Sequence, residues 1–164
     1  MRPAFQFPIE GTRQTVLTPA LIKGDQATVL TRDTFERLGL NLDSIRRVSR
    51  ASASAALAEL EPQFVRDEKG VVAFAILQSL RPIAAAAVLA PDFTDKFKDT
   101  LGPDLLVAIP NRYRVYVYPA LASRFERTAD HVLADYKVSA YPVSKEVFRV
   151  TPEGLQAVGT FDDR

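Results

Sequence analysis

The sequence predicts one α+β domain over residues 1–164, a mixed or antiparallel sheet with helices packed mainly on one face. Three observations carry that expectation. The run DLLVAIPNRYRVYVY, Asp104 to Tyr118, reads as a central β-hairpin. Around it, segments with helical spacing and capping residues are interspersed with short β-branched runs, and no internal repeat or low-complexity linker divides the chain. The length of 164 residues suits a single core, since a chain of this size buries roughly 68–70% of its unfolded surface.

The first thirty residues hold Pro3, Pro8, Gly11, Pro19 and Gly24 around two short apolar pieces, Thr15 to Leu17 and Ala27 to Leu30, which read as strands. In LTRDTFERLGL, Thr31 is an N-cap, Asp33 sits in the first turn where the helix dipole favours an anion, and Gly39 is the stop. The next stretch places Ile45, Val48, Ser52, Ala56 and Leu60 at helical spacing, and Pro62 ends it. Val71 to Leu77 follows the turn signal DEKG and reads as a buried strand. Pro82 suits the first turn of a short helix through Leu89, and Phe93, Phe97 and Leu101 repeat at i, i+4 and i+8 before the stop at Gly102 and Pro103.

In the hairpin, Leu105 to Ile109 is apolar on both faces, as a central strand covered on two sides should be. PNRY makes the turn, because proline presets its own φ and asparagine tolerates a positive one. In the returning strand Val115 and Val117 alternate with Arg114, Tyr116 and Tyr118, so one face is aliphatic and the other basic and aromatic. Ser123 and Glu126 have capping-box spacing, and Leu121, Phe125, Val132 and Tyr136 fall on one side of the helix expected there. Two strands, Glu146 to Val150 and Leu155 to Val158, follow around a turn through Pro152 to Gly154, and FDDR is expected to fray.

Composition excludes several classes of function. With 47% hydrophobic and 25% charged residues the chain is ordinary globular protein. Its longest apolar run, IAAAAVLA from Ile83 to Ala90, falls far short of the roughly 20 residues that cross a bilayer, so no membrane partner is expected. MRPAFQFPIEG has no apolar signal-peptide core, which makes the cytoplasm the expected compartment. Having no cysteine, the chain can form no disulfide, thiolate metal site, iron–sulfur cluster or cysteine nucleophile. Twenty-one Lys and Arg against 20 Asp and Glu leave a net charge of +1, too little to steer the protein onto nucleic acid.

The segment ATVLTRDTFERLGLNLDSIRRVS, followed further on by LGPDLLVAIPNRYRVYVYP, resembles the YtpQ-like family of uncharacterised bacterial proteins over about Ala27 to Pro119. That family pairs a helix, a Leu-Gly, an acidic pair and a second helix with a strand ending in Pro-Asn-Arg-Asp. Tyr113 stands where the family's pattern has the aspartate, and ASASAAL lacks an asparagine of the second helix. The resemblance implies a shared fold, no reaction and no catalytic residue.

Candidate chemistry is sparse. His131, four residues before Asp135, has the spacing at which a carboxylate orients an imidazole as general base, a hydrolase-like alternative. No G-x-S-x-G or H-E-x-x-H accompanies it. Asp92, Asp95 and Asp99 would be the carboxylates for a hydrated Mg²⁺, but Lys96 and Lys98 lie between them, and no metal or cofactor is expected. Arg112, Arg114, Tyr116 and Tyr118 interleave cations and rings as single-stranded nucleic-acid platforms do, against the plainer reading that the tyrosines pack under a helix. Arg46, Arg47 and Arg50 form a second basic cluster, with Asp33, Glu36 or Asp43 as neutralising partners. Arg112, at the hairpin tip, would anchor a partner if it reached across to a carboxylate pocket. Without an assembled catalytic set, the leading expectation is a non-enzymatic protein-interaction module that binds a protein partner or a second copy of itself.

Overall fold

The computed structural model describes residues 3, 5–122 and 124–161, with backbone alone at 122, 124 and 125. In chain order the elements are β1 (Phe7–Pro8), β2 (Val16–Leu17), β3 (Ala20–Lys23), β4 (Gln26–Val29), α1 (Arg32–Arg37), α2 (Leu42–Glu59), β5 (Gln63–Arg66) and β6 (Val72–Gln78). They continue as α3 (Ala84–Ala87), α4 (Phe93–Leu101), β7 (Leu105–Asn111), β8 (Arg114–Pro119), two short 3₁₀ turns (Ala120–Ala122 and Arg124–Thr128), α5 (Ala129–Val138), β9 (Glu146–Thr151) and β10 (Gly154–Thr160). Six strands form one antiparallel sheet in the order β10-β9-β7-β8-β6-β5, while β1 pairs with β2 and β3 with β4 outside it. This is an α+β fold. Among the described residues no helix is long and apolar enough to cross a membrane.

Period-2 alternation splits the sheet's side chains between two apolar layers. Ala75 and Leu77 of β6, Leu105, Val107 and Ile109 of β7, and Val115 and Val117 of β8 face the larger layer, which α2, α3 and α4 complete with Leu57, Ala84, Phe93 and Phe97. Leu106 and Ala108 of β7 and Tyr116 and Tyr118 of β8 face the smaller one, closed by Val132 and Leu133 of α5. Three helices therefore cover one face and a single helix the other. Every residue of β7 is buried, as its two-sided apolar pattern requires.

Local signals set several boundaries. The Thr31 hydroxyl accepts the Thr34 N–H and caps α1, and Asn41 and Ser44 close a reciprocal capping box on α2. Phe93, Phe97 and Leu101 are all buried, as their spacing predicts.

Four details depart from expectation. On α2 the buried residues are Ala53, Ala56 and Leu57, with Leu60 at the cap; Val48 is 59% exposed and Ser52 is exposed, so only the C-terminal half of the predicted stripe is covered. The helix expected from Pro82 is one turn, Ala84–Ala87. Before α5 the chain runs in 3₁₀ turns and Leu121 is exposed, while Ser123 and the capping box expected there lie outside the described residues. Phe161 does not fray: it is buried in the smaller layer, and its N–H donates to the Lys145 carbonyl.

The N-terminal segment is strapped to the far edge of the sheet. Ile9 enters the larger layer, the Ala157 N–H donates to the Glu10 carbonyl at 2.8 Å, and Gly11 takes a positive φ of 76°. A Cβ at Gly11 would lie 2.6 Å from the Ala157 carbonyl oxygen, so close an approach that only glycine fits.

Candidate functional site

The tip of the β7–β8 hairpin is held from three sides. Its two-residue turn is Arg112-Tyr113, and the Asn111 side-chain oxygen accepts the Tyr113 N–H at 2.9 Å, an Asx turn. The Asn111 amide donates to the Asp135 carbonyl of α5 at 3.3 Å. On the opposite side, the Ser79 N–H donates to the Tyr113 carbonyl and the Ala85 N–H to the Arg112 carbonyl. Backbone groups and the Asn111 side chain therefore fix the turn without using the side chains of Arg112 and Tyr113, both half-buried.

Behind the turn lies a closed polar network. The Asp135 carboxylate accepts Arg114 Nη1 at 3.1 Å and the Tyr116 hydroxyl at 2.5 Å, while Arg114 Nη2 donates to Gln78 Oε1 at 2.8 Å. Desolvation pushes the Tyr116 phenol up to about 12, and the hydrogen bond to Asp135 and that carboxylate's charge push the same way, so Tyr116 stays a protonated donor. Tyr118 is buried beside it, with ring planes 8° apart and its hydroxyl 2.5 Å from that of Thr128; burial drives its phenol well above the usual range. Both shifts stabilise the fold in full below the ordinary tyrosine pKa of about 10, and that stabilisation is lost as pH rises through the folded values. An alkaline titration followed by phenolate absorbance should show a late component, coincident with unfolding, that is missing from the double variant Tyr116→Phe/Tyr118→Phe.

Beside the network an open cleft of about 580 Å³ is walled by Leu80, Tyr113 and Val138, with Gln78, Arg114 and Asp135 along its floor. Leu80 is 96% exposed and Val138 82%, two aliphatic side chains of the cleft lining held in water. Next to Tyr113, at a ring separation of 6.5 Å, stands the half-exposed Tyr141, and the Arg112 guanidinium lies 4.8 Å above the Tyr141 ring. A short pairing of Asn111 with Pro142 holds the Tyr141 loop there.

The predicted site residues divide accordingly. Asp135 faces the sheet and binds Arg114 and Tyr116; His131 is exposed, so no oriented imidazole results. Tyr116 and Tyr118 are 3% and 0% exposed, covered by α5, and present no ring on which a base would stack. Arg114 belongs to the closed network. Among the described residues Arg112 meets no carboxylate, and its guanidinium lies over the Tyr141 ring instead. Asp92 accepts the Ser54 hydroxyl and Asp95 pairs with Lys98, so the three aspartates of α4 do not converge; among the described residues no group of three His, Asp or Glu side chains is placed to hold a metal. Arg46 lies over the Phe7 ring, and among the described residues neither it nor Arg47 or Arg50 forms an ion pair with Asp33, Glu36 or Asp43.

Leu80, Val138 and Tyr141 were not legible as site residues: each lies at or just past the end of a strand or helix, where an isolated apolar residue carries no periodicity. A second polar cluster was also missed. Glu146, 6% exposed, accepts the Thr12 and Thr15 hydroxyls at 2.6 Å each and the Arg13 N–H at 2.9 Å, and Ser144 bonds to Thr15 at 2.7 Å. Every polar group in it is spent on another, which makes it a structural clasp for the N-terminal strap.

Comparison with protein-family models, with curated proteins and with solved structures finds no match for this chain.

Proposed function

We propose that the protein is a non-enzymatic protein-interaction module and that it receives a partner segment in the cleft at the hairpin tip. One observation carries this reading: Leu80 and Val138, almost fully exposed, line a cleft together with Tyr113, whose ring neighbours Tyr141 and the Arg112 cation over it. Aliphatic, tyrosine and arginine side chains on a concave, well-supported surface have the composition of interface hot spots. The polar floor supports binding over catalysis, because its carboxylate, guanidinium and phenol are already bonded to one another and leave no activated nucleophile or base. The bacterial setting of the proposal rests on the resemblance to the YtpQ-like family, which contributes no reaction.

A displayed library of random peptides selected on the immobilised full chain tests the reading. Peptides should be enriched whose affinity falls about tenfold or more on Leu80→Ser/Val138→Ser, since burying one aliphatic side chain is worth about 1.5–3 kcal/mol and each 1.4 kcal/mol is tenfold. Both positions are exposed, so the variant should keep its stability to within about 0.5 kcal/mol. A library that yields only peptides indifferent to the double variant overturns the proposal.

A further inference from the structure

We infer that the segment bound at this cleft pairs an aliphatic side chain with a nearby carboxylate, the aliphatic group lodging between Leu80 and Val138 and the carboxylate meeting the Arg112 guanidinium; this rests on the interaction reading above. Charge complementarity selects the carboxylate. Arg114 is neutralised by Asp135, and Gln78 takes its other terminal nitrogen. Arg112 differs: among the described residues it forms no ion pair, and its recorded partner is the face of Tyr141.

Placed over the Tyr141 ring and not against a carboxylate, the Arg112 guanidinium keeps N–H donors for a ligand. A planar fork held this way loses little freedom when it binds a carboxylate with two parallel hydrogen bonds. Arg112 directly precedes Tyr113, which lines the cleft, and the Tyr141 ring beneath the cation stands 6.5 Å from the Tyr113 ring, so the cation lies beside the cleft. A phosphate backbone is the less suitable anion: the tyrosines that would have held its bases are buried under α5.

The peptides enriched on wild-type protein decide the matter. Asp or Glu is expected within three positions of an aliphatic residue in most of them. Arg112→Gln should weaken these peptides about tenfold, whereas Arg112→Lys, which keeps the charge and loses the fork, recovers part of that loss. The fold does not depend on the side chain, because position 112 joins the turn through its carbonyl. Replacing the peptide's Asp by Asn should cost as much on the wild type as Arg112→Gln does, and almost nothing further on that variant, the signature of a direct pair. Leu80-dependent peptides without acidic bias, or with equal affinity for Arg112→Gln, overturn this inference while leaving the interaction reading intact. Failure of any peptide to depend on Leu80 and Val138 removes both. A single-stranded oligonucleotide that displaces the acidic peptides at lower concentration than free acidic peptide does also counts against the inference.

Discussion

Glu146→Ala is expected to destabilise the protein by about 3–5 kcal/mol, because hydrogen bonds to a charged acceptor contribute about 1.5–3 kcal/mol each, three are lost, and the Thr15 donor left behind is buried. The carboxylate is the hub of contacts that bridge more than a hundred residues of sequence, joining Thr12, Arg13 and Thr15 to β9. The Thr15 hydroxyl gives its proton to Glu146 and takes one from Ser144, and the Ser144 oxygen in turn accepts the Glu146 N–H, so one deletion leaves several groups unpaired. Desolvation works to raise the Glu146 carboxyl, but the hydroxyls of Thr12 and Thr15 and the backbone N–H groups of Arg13 and Gln14 outweigh it and hold the group below the usual carboxylate range. The sign of the pH effect follows. This contribution is complete above the unfolded glutamate pKa of about 4.3 and is lost as pH falls through the lowered folded value. Glu146→Gln, which keeps the shape and one acceptor oxygen, should lose about 1–3 kcal/mol at neutral pH and show a shallower acid dependence than the wild type. Urea unfolding at neutral pH and near pH 4 measures both. If Glu146→Ala matches the wild type in urea midpoint at neutral pH, the clasp does not hold the strap.

Much of this arrangement was legible in the chain, for reasons that differ from residue to residue. The β7–β8 hairpin was readable because its signals are local: the two-sided apolar run, the turn residues and the alternation of Val115 and Val117 with Tyr116 and Tyr118 lie within 14 consecutive positions, Leu105 to Tyr118. The same alternation left open which face α5 would cover, since both sides of β8 carry large side chains. Helical periodicity marked Ala56 and Leu60 correctly and Val48 incorrectly, because spacing shows which residues share a side of a helix but not how far along it another element lies. Asp135 was found for the wrong partner. Its relation to His131 is visible at i, i+4, whereas its actual bonds to Tyr116 and Arg114 cross 19 and 21 residues and depend on where α5 docks. Glu146 had a faint signal, an acid opening a strand that continues with Val147 and Phe148, but the hydroxyls that justify it come from the other end of the chain. The cleft was hidden for a similar reason: Leu80 after β6, Tyr113 in the β7–β8 turn, and Val138 and Tyr141 at and just past the end of α5 are far apart in sequence.

Phe97→Ala should cost about 3–5 kcal/mol, the range for deleting a buried aromatic ring and leaving a cavity behind. The ring is 0% exposed in the larger layer, 5.1 Å from the ring of Phe93, in a layer shared by α2, α4 and the inner faces of β6, β7 and β8. Its loss cannot be absorbed cheaply. The layer includes several alanines, among them Ala53, Ala56, Ala84 and Ala87, and such short side chains have no rotamers with which to swing into a void. Val48→Ala is the informative control. Periodicity places both positions on apolar helix faces, yet Val48 lies 59% exposed on the open half of α2, so its truncation should change stability by less than about 0.5 kcal/mol. Chemical denaturation of the two variants side by side separates the covered face from the open one. A loss above about 1.5 kcal/mol for Val48→Ala would show that the first half of α2 is packed in solution, and would require a covering element, a second copy of the chain or the strap itself, over Leu42 and Val48.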